Sequence, residues 1–316
     1  MPAVDVLKLE APVIQAGMGG IARHELAAAV SEAGGLGTIA GVRADIAAEL
    51  AAARRLTGRP IAVNLLRPFL RPGDAQAAAG ADAIVTFWGE PRRLAAGTWI
   101  HQCGSVEEAK AAAAAGADAV IAQGVEAGGH VRGTTPLLEL LERTRAAVKI
   151  PVLAAGGVVD AAGVSEVLSA GASAAVVGTR FLLSEESRAH PAYKQRCVEA
   201  EQTVLTELFG LAWPDAPHRV IHNEATRRWL RGGTRGPRWI RTANRITAPL
   251  ARRIPQTIQE RAAKTQRPSQ PFLGPGPPTA DGPPNLLDSG PLYAGSGVTR
   301  IDDIRPAAEL VRALTP

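Results

Sequence analysis

The chain is poor in cysteine and in aromatic residues. It holds two cysteines, Cys103 and Cys197, in 316 residues, and this number excludes the disulfide framework of a small secreted domain. Cys103 lies in an apolar, strand-like stretch, so we expect a buried and unreactive thiol. Aromatic residues make up 4% of the chain, while hydrophobic residues reach 46%. This composition suits helices packed tightly on a sheet, and the length allows a large core.

Long apolar runs are also missing, because Asp, Arg or Gly interrupts every apolar stretch before it reaches the length of a membrane span. Residues 1–5 lack the basic and then apolar pattern of a secretory signal peptide. We therefore expect a cytoplasmic protein that does not enter a membrane.

Acidic residues are almost absent from one segment, 225–267. The segment holds eleven arginines, one lysine and a single acid, Glu260, which gives a formal charge of +11 against −6 for the rest of the chain. Aromatic residues interleave with the arginines only at Trp229 and Trp239, and no nucleic-acid-binding motif is present, so we do not expect nucleic acid as a partner. The arginines predict a solvated helical face, the rim of a site for an anionic substrate, or a subunit contact such as that of a homodimer.

What the sequence does contain is a repeat in which a helix ends in Ala-Gly and an apolar strand begins. The clearest copies lie at 78–85, 114–121 and 169–176. Glycine closes a helix in the left-handed conformation, and strands that are apolar on both faces are typical of a buried parallel sheet. The pattern predicts eight strands, at 12–16, 36–40, 61–66, 82–87, 98–102, 118–123, 151–155 and 174–178. It predicts helices at 24–33, 45–56, 105–115, 136–147 and 160–169.

Eight alternating units predict a (β/α)8 TIM barrel of the α/β class. The rival fold is a doubly wound open sheet, which needs fewer strands and usually an early glycine-rich nucleotide turn. The alternation stops after Phe181. Beyond it the sequence predicts a helix at 191–209, a long loop rich in Pro and Gly at 268–291, and a last helix at 305–314.

The best account of this ending is a large insertion between the eighth strand and the last helix. We expect a barrel formed by residues 1–183 and 292–316. The inserted residues, 184–291, would then form a helical and loop subdomain that covers the C-terminal mouth of the barrel.

The ends of the predicted strands carry the chemistry, because barrel active sites form where strands meet the following loops. Neutral amides and glycines predominate at these ends, as at Asn64 and Gln123. No set of His, Cys, Asp and Glu has metal-ligand spacing, and no carboxylate pair suits hydrolysis. We therefore expect a site without a metal.

The seventh and eighth strands end in glycines that predict a phosphate site. Gly156-Gly157 follows one strand and Gly178-Thr179 follows the other. Their backbone N–H groups and the Thr179 hydroxyl predict an anion nest, to which the helix that starts near Asp160 adds its positive end. FMN would present such a phosphate. Asn64 and Gln123 could then bond the polar edge of its ring, with Gly17 against the ring; the alternative is that both amides are satisfied within the protein.

The loop after the sixth strand reads Gln123-Gly124-Val125-Glu126-Ala127-Gly128-Gly129-His130. Paired glycines let backbone approach a ligand closely, and histidine is the side chain suited to proton transfer near neutral pH. A solvated loop histidine is the alternative. The strand count and the neighbouring glycine ends favour a catalytic His130 that faces a flavin ring.

Taken together, these motifs resemble the nitronate monooxygenase family, also called the 2-nitropropane dioxygenase family. The matching stretches are PVIQAGM at 12–18, AAAVSEAGGLG at 27–37, VNL at 63–65, QGVEAGGH at 123–130, AAGGV at 154–158, GTRF at 178–181 and LYAG at 292–295. They span the barrel and the C-terminal return.

The resemblance implies an enzyme that holds FMN without a covalent bond and uses O2 to oxidise alkyl nitronates or nitroalkanes to a carbonyl compound and nitrite. It implies that His130 takes a proton from a neutral nitroalkane or orients an anionic nitronate. The residues that would contact the cofactor are Ala16, Gly17, Met18, Asn64, Gln123, Gly128, Gly129, Gly156, Gly157, Val176, Val177, Gly178 and Thr179.

Two positions depart from the family pattern. Trp88 stands where many relatives carry a His-Phe pair before Gly, and Ser296 stands where Gln often follows Ala-Gly. We expect Trp88 and Tyr293 to line the substrate pocket. The departures leave open an NAD(P)H-dependent flavin reductase of the enoyl-acyl-carrier or quinone reductase type, whose basic surface could meet an acidic carrier protein, and a non-catalytic flavin-binding protein.

Overall fold

The computed structural model describes residues 9–251, 253–254 and 256–316. Its strands are, in chain order, β1 (Val13–Gln15), β2 (Gly37–Ala40), β3 (Ile61–Leu66), β4 (Ala83–Phe87), β5 (Thr98–Cys103), β6 (Ala119–Gln123), β7 (Gly129–His130), β8 (Val152–Ala155), β9 (Ala175–Val177), β10 (Thr203–Thr206) and β11 (His218–Ile221). All except β7, β10 and β11 form one parallel sheet. The eight predicted strands are therefore confirmed, with bounds that differ by at most one residue.

The parallel sheet closes on itself. Its strands follow the order β1-β9-β8-β6-β5-β4-β3-β2, and β1 meets the residue that precedes β2. The Gln15 N–H donates to the Leu36 carbonyl at 2.9 Å, and the Leu36 N–H donates to the Val13 carbonyl at 3.0 Å. The predicted TIM barrel is confirmed. The doubly wound alternative is wrong, because an open sheet would leave its two end strands unpaired.

Helices cover the outside of the barrel, and five more lie in the described part of the insertion. They are α1 (His24–Glu32), α2 (Ile46–Leu56), α3 (Asp74–Ala78), α4 (Val106–Ala114), α5 (Leu137–Ala147), α6 (Ala161–Ser169), α7 (Thr179–Leu182), α8 (Pro191–Val198), α9 (Glu224–Trp229), α10 (Arg238–Ala251), α11 (Gln256–Thr265), α12 (Leu286–Ser289) and α13 (Ala307–Leu314). Five of them, α1, α2, α4, α5 and α6, confirm the predicted barrel helices.

Local signals explain where these helices start and stop. Side chains cap three of the starts, because Asp45, Ser105 and Asp160 each accept a hydrogen bond from a backbone N–H of the first turn. The glycines of the Ala-Gly repeat adopt φ values of +95° at Gly34 and +85° at Gly116. These copies close a helix in the left-handed conformation that the sequence indicates, whereas Gly80 of the copy at 78–85 does not have positive φ.

Small and branched apolar side chains fill the barrel interior. One buried cluster draws on seven strands of the barrel, with Ile14, Ala62, Val85, Ile100, Ile121, Leu153 and Val176 among its members. Alternate residues of a strand face the same side, so the residue two positions further along also faces the barrel axis. This periodicity directs three amides inward above the apolar layer, at Asn64, Gln102 and Gln123.

The insertion differs from its prediction at two elements, one of which is the short helix α12 (Leu286–Ser289) within the loop expected at 268–291. The helix expected at 191–209 ends at Val198, and Thr203–Thr206 is strand β10 instead. β10 pairs antiparallel with β11, and β11 pairs antiparallel with β7 in the loop after β6. These long-range pairings outweigh the helical signal of the local sequence. They also bring part of the inserted segment onto the C-terminal side of the barrel, while the exact domain division stays a prediction.

Both cysteines are buried and free of disulfide bonds. Burial raises the pKa of the Cys103 and Cys197 thiols well above the ordinary value. Neither thiol is available as a thiolate near neutral pH, so the expectation of an unreactive Cys103 is confirmed.

The contact between β2 and α1 leads to a prediction about stability. A Cβ atom on Gly37 would lie 1.8 Å from the Ala27 carbonyl oxygen of α1. We expect Gly37→Ala to push strand and helix apart and to lower the free energy of unfolding by about 2 kcal/mol or more. Gly58→Ala is the matched control, because a Cβ there has no neighbour within 4 Å. Thermal unfolding measures both, and equal midpoints for the two variants would contradict the packing argument.

Candidate active site

His130 lies inside an aromatic cluster at the C-terminal side of the barrel. Its imidazole stacks on the Trp213 indole, with ring centroids 3.8 Å apart and planes inclined by 20°. Trp88 approaches edge-on at 6.3 Å, and Tyr293 lies at 5.6 Å. The loop histidine is therefore packed rather than solvated. Trp88 and Tyr293, predicted for the substrate pocket, lie beside it.

The environment of His130 favours its neutral form. Its Nε2 atom is shielded from solvent and has no hydrogen-bond partner in the described part of the chain. Burial lowers the pKa of His130 well below the ordinary value, and the charge of a protonated His218 would lower it further. A neutral imidazole with an unused nitrogen can accept a proton from a ligand.

His218 braces the same region and was not anticipated. The side chain is fully buried; its Nδ1 lies 3.0 Å from the Ala216 carbonyl, and its Nε2 accepts a hydrogen bond from the Phe209 N–H at 3.3 Å. Burial lowers its pKa to about 4. His218 lies in the insertion, where the default for a histidine is a surface role, but β11 pairs it directly with His130. With both nitrogens engaged, His218 holds the loop that carries Trp213.

The two predicted amides have partners within the protein. Gln123 spans the loop after β6: its Nε2 donates to the His130 carbonyl at 3.0 Å, and its Oε1 accepts from the Arg132 N–H at 3.1 Å. Asn64 donates to the Val85 carbonyl at 3.3 Å. These bonds support the alternative of satisfied strand-end amides. Gln102 is a third inward amide that sequence reasoning missed, although its position two residues after Ile100 signals it.

Two predicted cofactor glycines are required by protein packing. A Cβ on Gly17 would lie 2.4 Å from the Asn64 Cβ, and a Cβ on Gly128 would lie 2.5 Å from the Gly295 nitrogen. Each of these glycines lets two segments of chain touch. A role toward a ligand stays a prediction for both.

Other predicted glycines border open space. A Cβ on Gly178 would meet only the Ala16 Cβ, at 3.7 Å, and a Cβ on Gly129 would meet nothing within 4 Å. Gly129, Gly156 and Gly157 have φ values of +72°, +141° and +70°. Backbone of this kind is accessible to glycine at low cost. Gly129 and Gly178 leave room for a ligand, whereas a Cβ on Gly156 would lie 3.4 Å from the Gly124 nitrogen and one on Gly157 would lie 3.2 Å from the Glu126 Cβ.

Some groups of the predicted phosphate nest already form hydrogen bonds within the protein. The Thr179 hydroxyl accepts a hydrogen bond from the Gly295 N–H at 2.9 Å, which ties α7 to the chain return at 292–295. The Asp160 carboxylate caps α6 by accepting a hydrogen bond from the Gly163 N–H at 2.8 Å. The start of α6 therefore has fewer free N–H groups for a phosphate than the sequence predicts. No side chain caps α7 at Gly178, which leaves its first N–H groups for a ligand.

The remaining predicted residues lie around the same mouth. Ala16 bonds to Val177 through its N–H at 2.9 Å, and Met18 accepts backbone hydrogen bonds from Ile21 and Ala22. Val176 faces the barrel interior, whereas Val177 faces the helices. Val177 therefore has only its backbone to offer to a ligand.

Three further side chains join the site from positions that the sequence did not mark. Phe69, in the short helix after β3, lies 4.8 Å from the Trp213 ring. The Arg132 guanidinium lies 4.9 Å from the Trp88 ring centroid and donates to Glu108 at 2.6 Å. Trp213 itself comes from the insertion. The Trp213-Pro214 pair follows the helix predicted at 191–209 and carries no local signal for a contact about 80 residues away.

The described residues, 9–251, 253–254 and 256–316, contain no group of three or more His, Cys, Asp and Glu that could hold a metal ion. Across the same residues, none of the helices combines the length and the apolar character that crossing a membrane requires.

The residues of the mouth fit a flavin. The His130 Nε2 is a buried polar atom without a partner in the described chain, and a ligand could supply one. The backbone at Gly129 and Gly178 leaves open space for that ligand. The aromatic rings suit a flat ring, whereas the Gln123 and Asn64 amides already bond within the protein.

Comparison with known proteins agrees with the fold and the motifs. The sequence model of the nitronate monooxygenase family matches residues 2–96 and 92–316. The nitronate monooxygenase of Pseudomonas aeruginosa is 35% identical over 284 residues, which cover 70% of this chain and 80% of that protein. A Mycobacterium tuberculosis protein named (3aS,4S,5R,7aS)-5-hydroxy-7a-methyl-1-oxo-octahydro-1H-indene-4-carboxyl-CoA dehydrogenase is 33% identical over 251 residues, 74% of this chain and 69% of that protein.

Two solved structures share the architecture. FabK from Thermotoga maritima matches with a TM-score of 0.75 and 28% identity, and covers 98% of this chain and 93% of its own. Nitroalkane oxidase from Streptomyces ansochromogenes matches with a TM-score of 0.75 and 30% identity, and covers 98% and 96%.

The bridge formed by Gln123 leads to a prediction. We expect Gln123→Ala to release the backbone of His130 and Arg132, because the two hydrogen bonds of Gln123, worth roughly 1 kcal/mol each, are lost. Turnover should fall by about tenfold or more, while flavin affinity, measured by equilibrium dialysis, stays within about threefold of wild type. A variant that loses flavin affinity instead would contradict this role and favour direct contact of Gln123 with the cofactor.

Proposed function

Because the chain belongs to the nitronate monooxygenase family, and is thus a flavin-dependent oxidoreductase, we propose that it oxidises alkyl nitronates and nitroalkanes with FMN and O2, and that His130 is its base. The single observation that carries the proposal is the His130 Nε2 atom, buried and without a partner beside a glycine-lined mouth. Bound FMN would supply the one-electron oxidation that leads, with O2, to a carbonyl compound and nitrite.

The chemistry left to the protein is proton transfer and positioning. A neutral nitroalkane carries an acidic C–H next to the nitro group. His130 would take this proton at Nε2 while the C–H electron pair moves onto the nitro group and gives the nitronate. Since the pKa of His130 lies well below its ordinary value, the imidazole is unprotonated at neutral pH and its Nε2 lone pair is free, although it is a weaker base than an ordinary histidine. A nitronate that arrives as an anion needs only orientation.

The aromatic cluster sets the kind of substrate. Trp213 stacks on His130, Trp88 lies edge-on to both rings, and Phe69 packs against Trp213. Apolar rings of this kind next to the base favour a short apolar chain, which supports small nitroalkanes. Arg132, over the Trp88 ring, adds a positive charge near the same space, which favours the anionic nitronate.

A second candidate is an NAD(P)H-dependent flavin reductase of the enoyl-acyl-carrier or quinone reductase type. The likeness to FabK and to a relative named as a carboxyl-CoA dehydrogenase supports it. The arginine-rich segment would suit an acidic partner. A cytoplasmic location and a homodimer remain predictions for either activity.

Replacement of the base tests the proposal. We expect His130→Asn to keep FMN and to lose about 10²-fold or more of turnover with neutral nitroethane, because no other unpartnered base lies at the described site. The control is His222→Asn, which changes a histidine of the insertion that lies outside the aromatic cluster. Nitrite release measures both variants, and full activity of His130→Asn would exclude this role.

The choice between oxygenase and reductase rests on the flavin spectrum. We expect purified protein to absorb as an oxidised flavin and to keep that absorbance when NADH or NADPH is mixed with it without oxygen. Anaerobic nitronate should bleach it. Rapid bleaching by a nicotinamide cofactor would reject the oxygenase in favour of the reductase.

A further inference from the structure

Backbone strain in this protein gathers around His130. Four residues other than glycine have positive φ in the described ranges: Arg43, Trp88, Ala212 and Asp215. Trp88, at +66°, belongs to the aromatic cluster, and Ala212 (+66°) and Asp215 (+55°) flank Trp213. Such conformations cost free energy for residues with a Cβ, and they persist where the surrounding structure imposes them, often at functional sites.

Trp213 lies in the turn between Ala212 and Asp215, two residues with positive φ. The indole is buried, with 4% of its surface exposed, although it comes from the insertion and not from the barrel. It covers one face of the His130 ring at 3.8 Å and meets the Trp88 ring edge-on at 5.1 Å. Its Nε1 atom has no partner among the described residues. The site thus leaves one indole N–H unsatisfied in order to keep the stacked position.

Arginines of the basic segment hold both ends of the turn. Glu207, whose carboxylate is buried, accepts hydrogen bonds from Arg235 at 2.7 Å and from Arg241 of α10 at 3.4 Å. Asp215 pairs with Arg245 of α10 through two contacts, at 2.6 and 2.9 Å. Part of the positive charge in 225–267 is therefore used inside the protein, to anchor the turn that carries Trp213.

From these contacts we propose that Trp213 is a positioning residue for His130: its stacked indole fixes the imidazole plane and keeps water from it, so that the unpartnered Nε2 stays directed to the substrate. The proposal rests on the proposed function, because it gives His130 the role of base.

The groups around His130 determine how easily its imidazole is protonated. His218 faces it from β11, Tyr293 from the chain return, and Trp88 from the end of β4, with Arg132 over the Trp88 ring. Burial under the rings disfavours a protonated His130 most, and the charge of a protonated His218 disfavours it further. Loss of the indole would admit water, so the pKa of His130 would rise toward the ordinary value near 6.5.

Two substitutions separate stacking from mere filling of space. Trp213→Phe keeps an aromatic face, whereas Trp213→Leu keeps apolar volume without a planar face. We expect the Leu variant to lose roughly ten- to a hundredfold in turnover of neutral nitroethane, and its pH profile to lose activity on the acid side at a higher pH than wild type. The Phe variant should stay within about threefold of wild type and keep the wild-type profile.

The matched control is Trp239→Leu, which removes a tryptophan of α10 that is 55% exposed and outside the cluster. It should leave turnover and profile unchanged. Wild-type behaviour of Trp213→Leu would overturn the proposal, and so would an equal loss in the Phe and Leu variants, because that loss would come from size and not from stacking.

A measurement without turnover separates this proposal from the proposed function. In protein with labelled histidine, NMR should show His130 titrating far below 6.5 in wild type and Trp213→Phe, and closer to it in Trp213→Leu. That result would support the stack even if no nitroalkane were oxidised. Identical titration in all three proteins would overturn it even if nitroalkane turnover were confirmed.

Discussion

The antiparallel pairing of β11 with β7 is the contact on which the site depends. It turns two residues of a glycine-rich loop into a strand and sets His130 opposite His218. His218 then ties Phe209 and Ala216 together, which fixes the turn that carries Trp213. A glycine loop after a barrel strand would otherwise be free to move. Because of this pairing, a loop histidine becomes a buried base with a defined orientation.

The site combines features that only a ligand or a reaction explains. The His130 Nε2 and the Trp213 Nε1 are both buried without partners in the described chain. An unsatisfied buried polar atom costs about 1–3 kcal/mol, so two of them side by side oppose folding. Positive φ at Trp88, Ala212 and Asp215 adds to that cost. These costs lower the free energy of unfolding, and they come with a neutral imidazole beside an open, glycine-lined mouth.

Local patterns in the sequence were enough for the barrel and for part of the site. The Ala-Gly repeat marks helix ends and strand starts by short-range geometry, so it located all eight strands. Pairing between distant segments has no such signature. β10 therefore resembled a helix, and His218 and Trp213 were not recognised at the site. Gln102 was accessible from its two-residue spacing after Ile100. The roles of Gly17 and Gln123 could not be predicted from the sequence. A strand-end residue that packs within the protein has the same local sequence pattern as one that binds a ligand.

A crystal structure of the protein loaded with FMN tests the central claim most directly. We expect a phosphate near Gly178 and Thr179, and a flavin ring across the mouth with His130 beside it, still stacked on Trp213. Substrate bound there should lie within about 3 Å of the His130 Nε2. A flavin at another place, or His130 turned away from the bound substrate into solvent, would contradict the account.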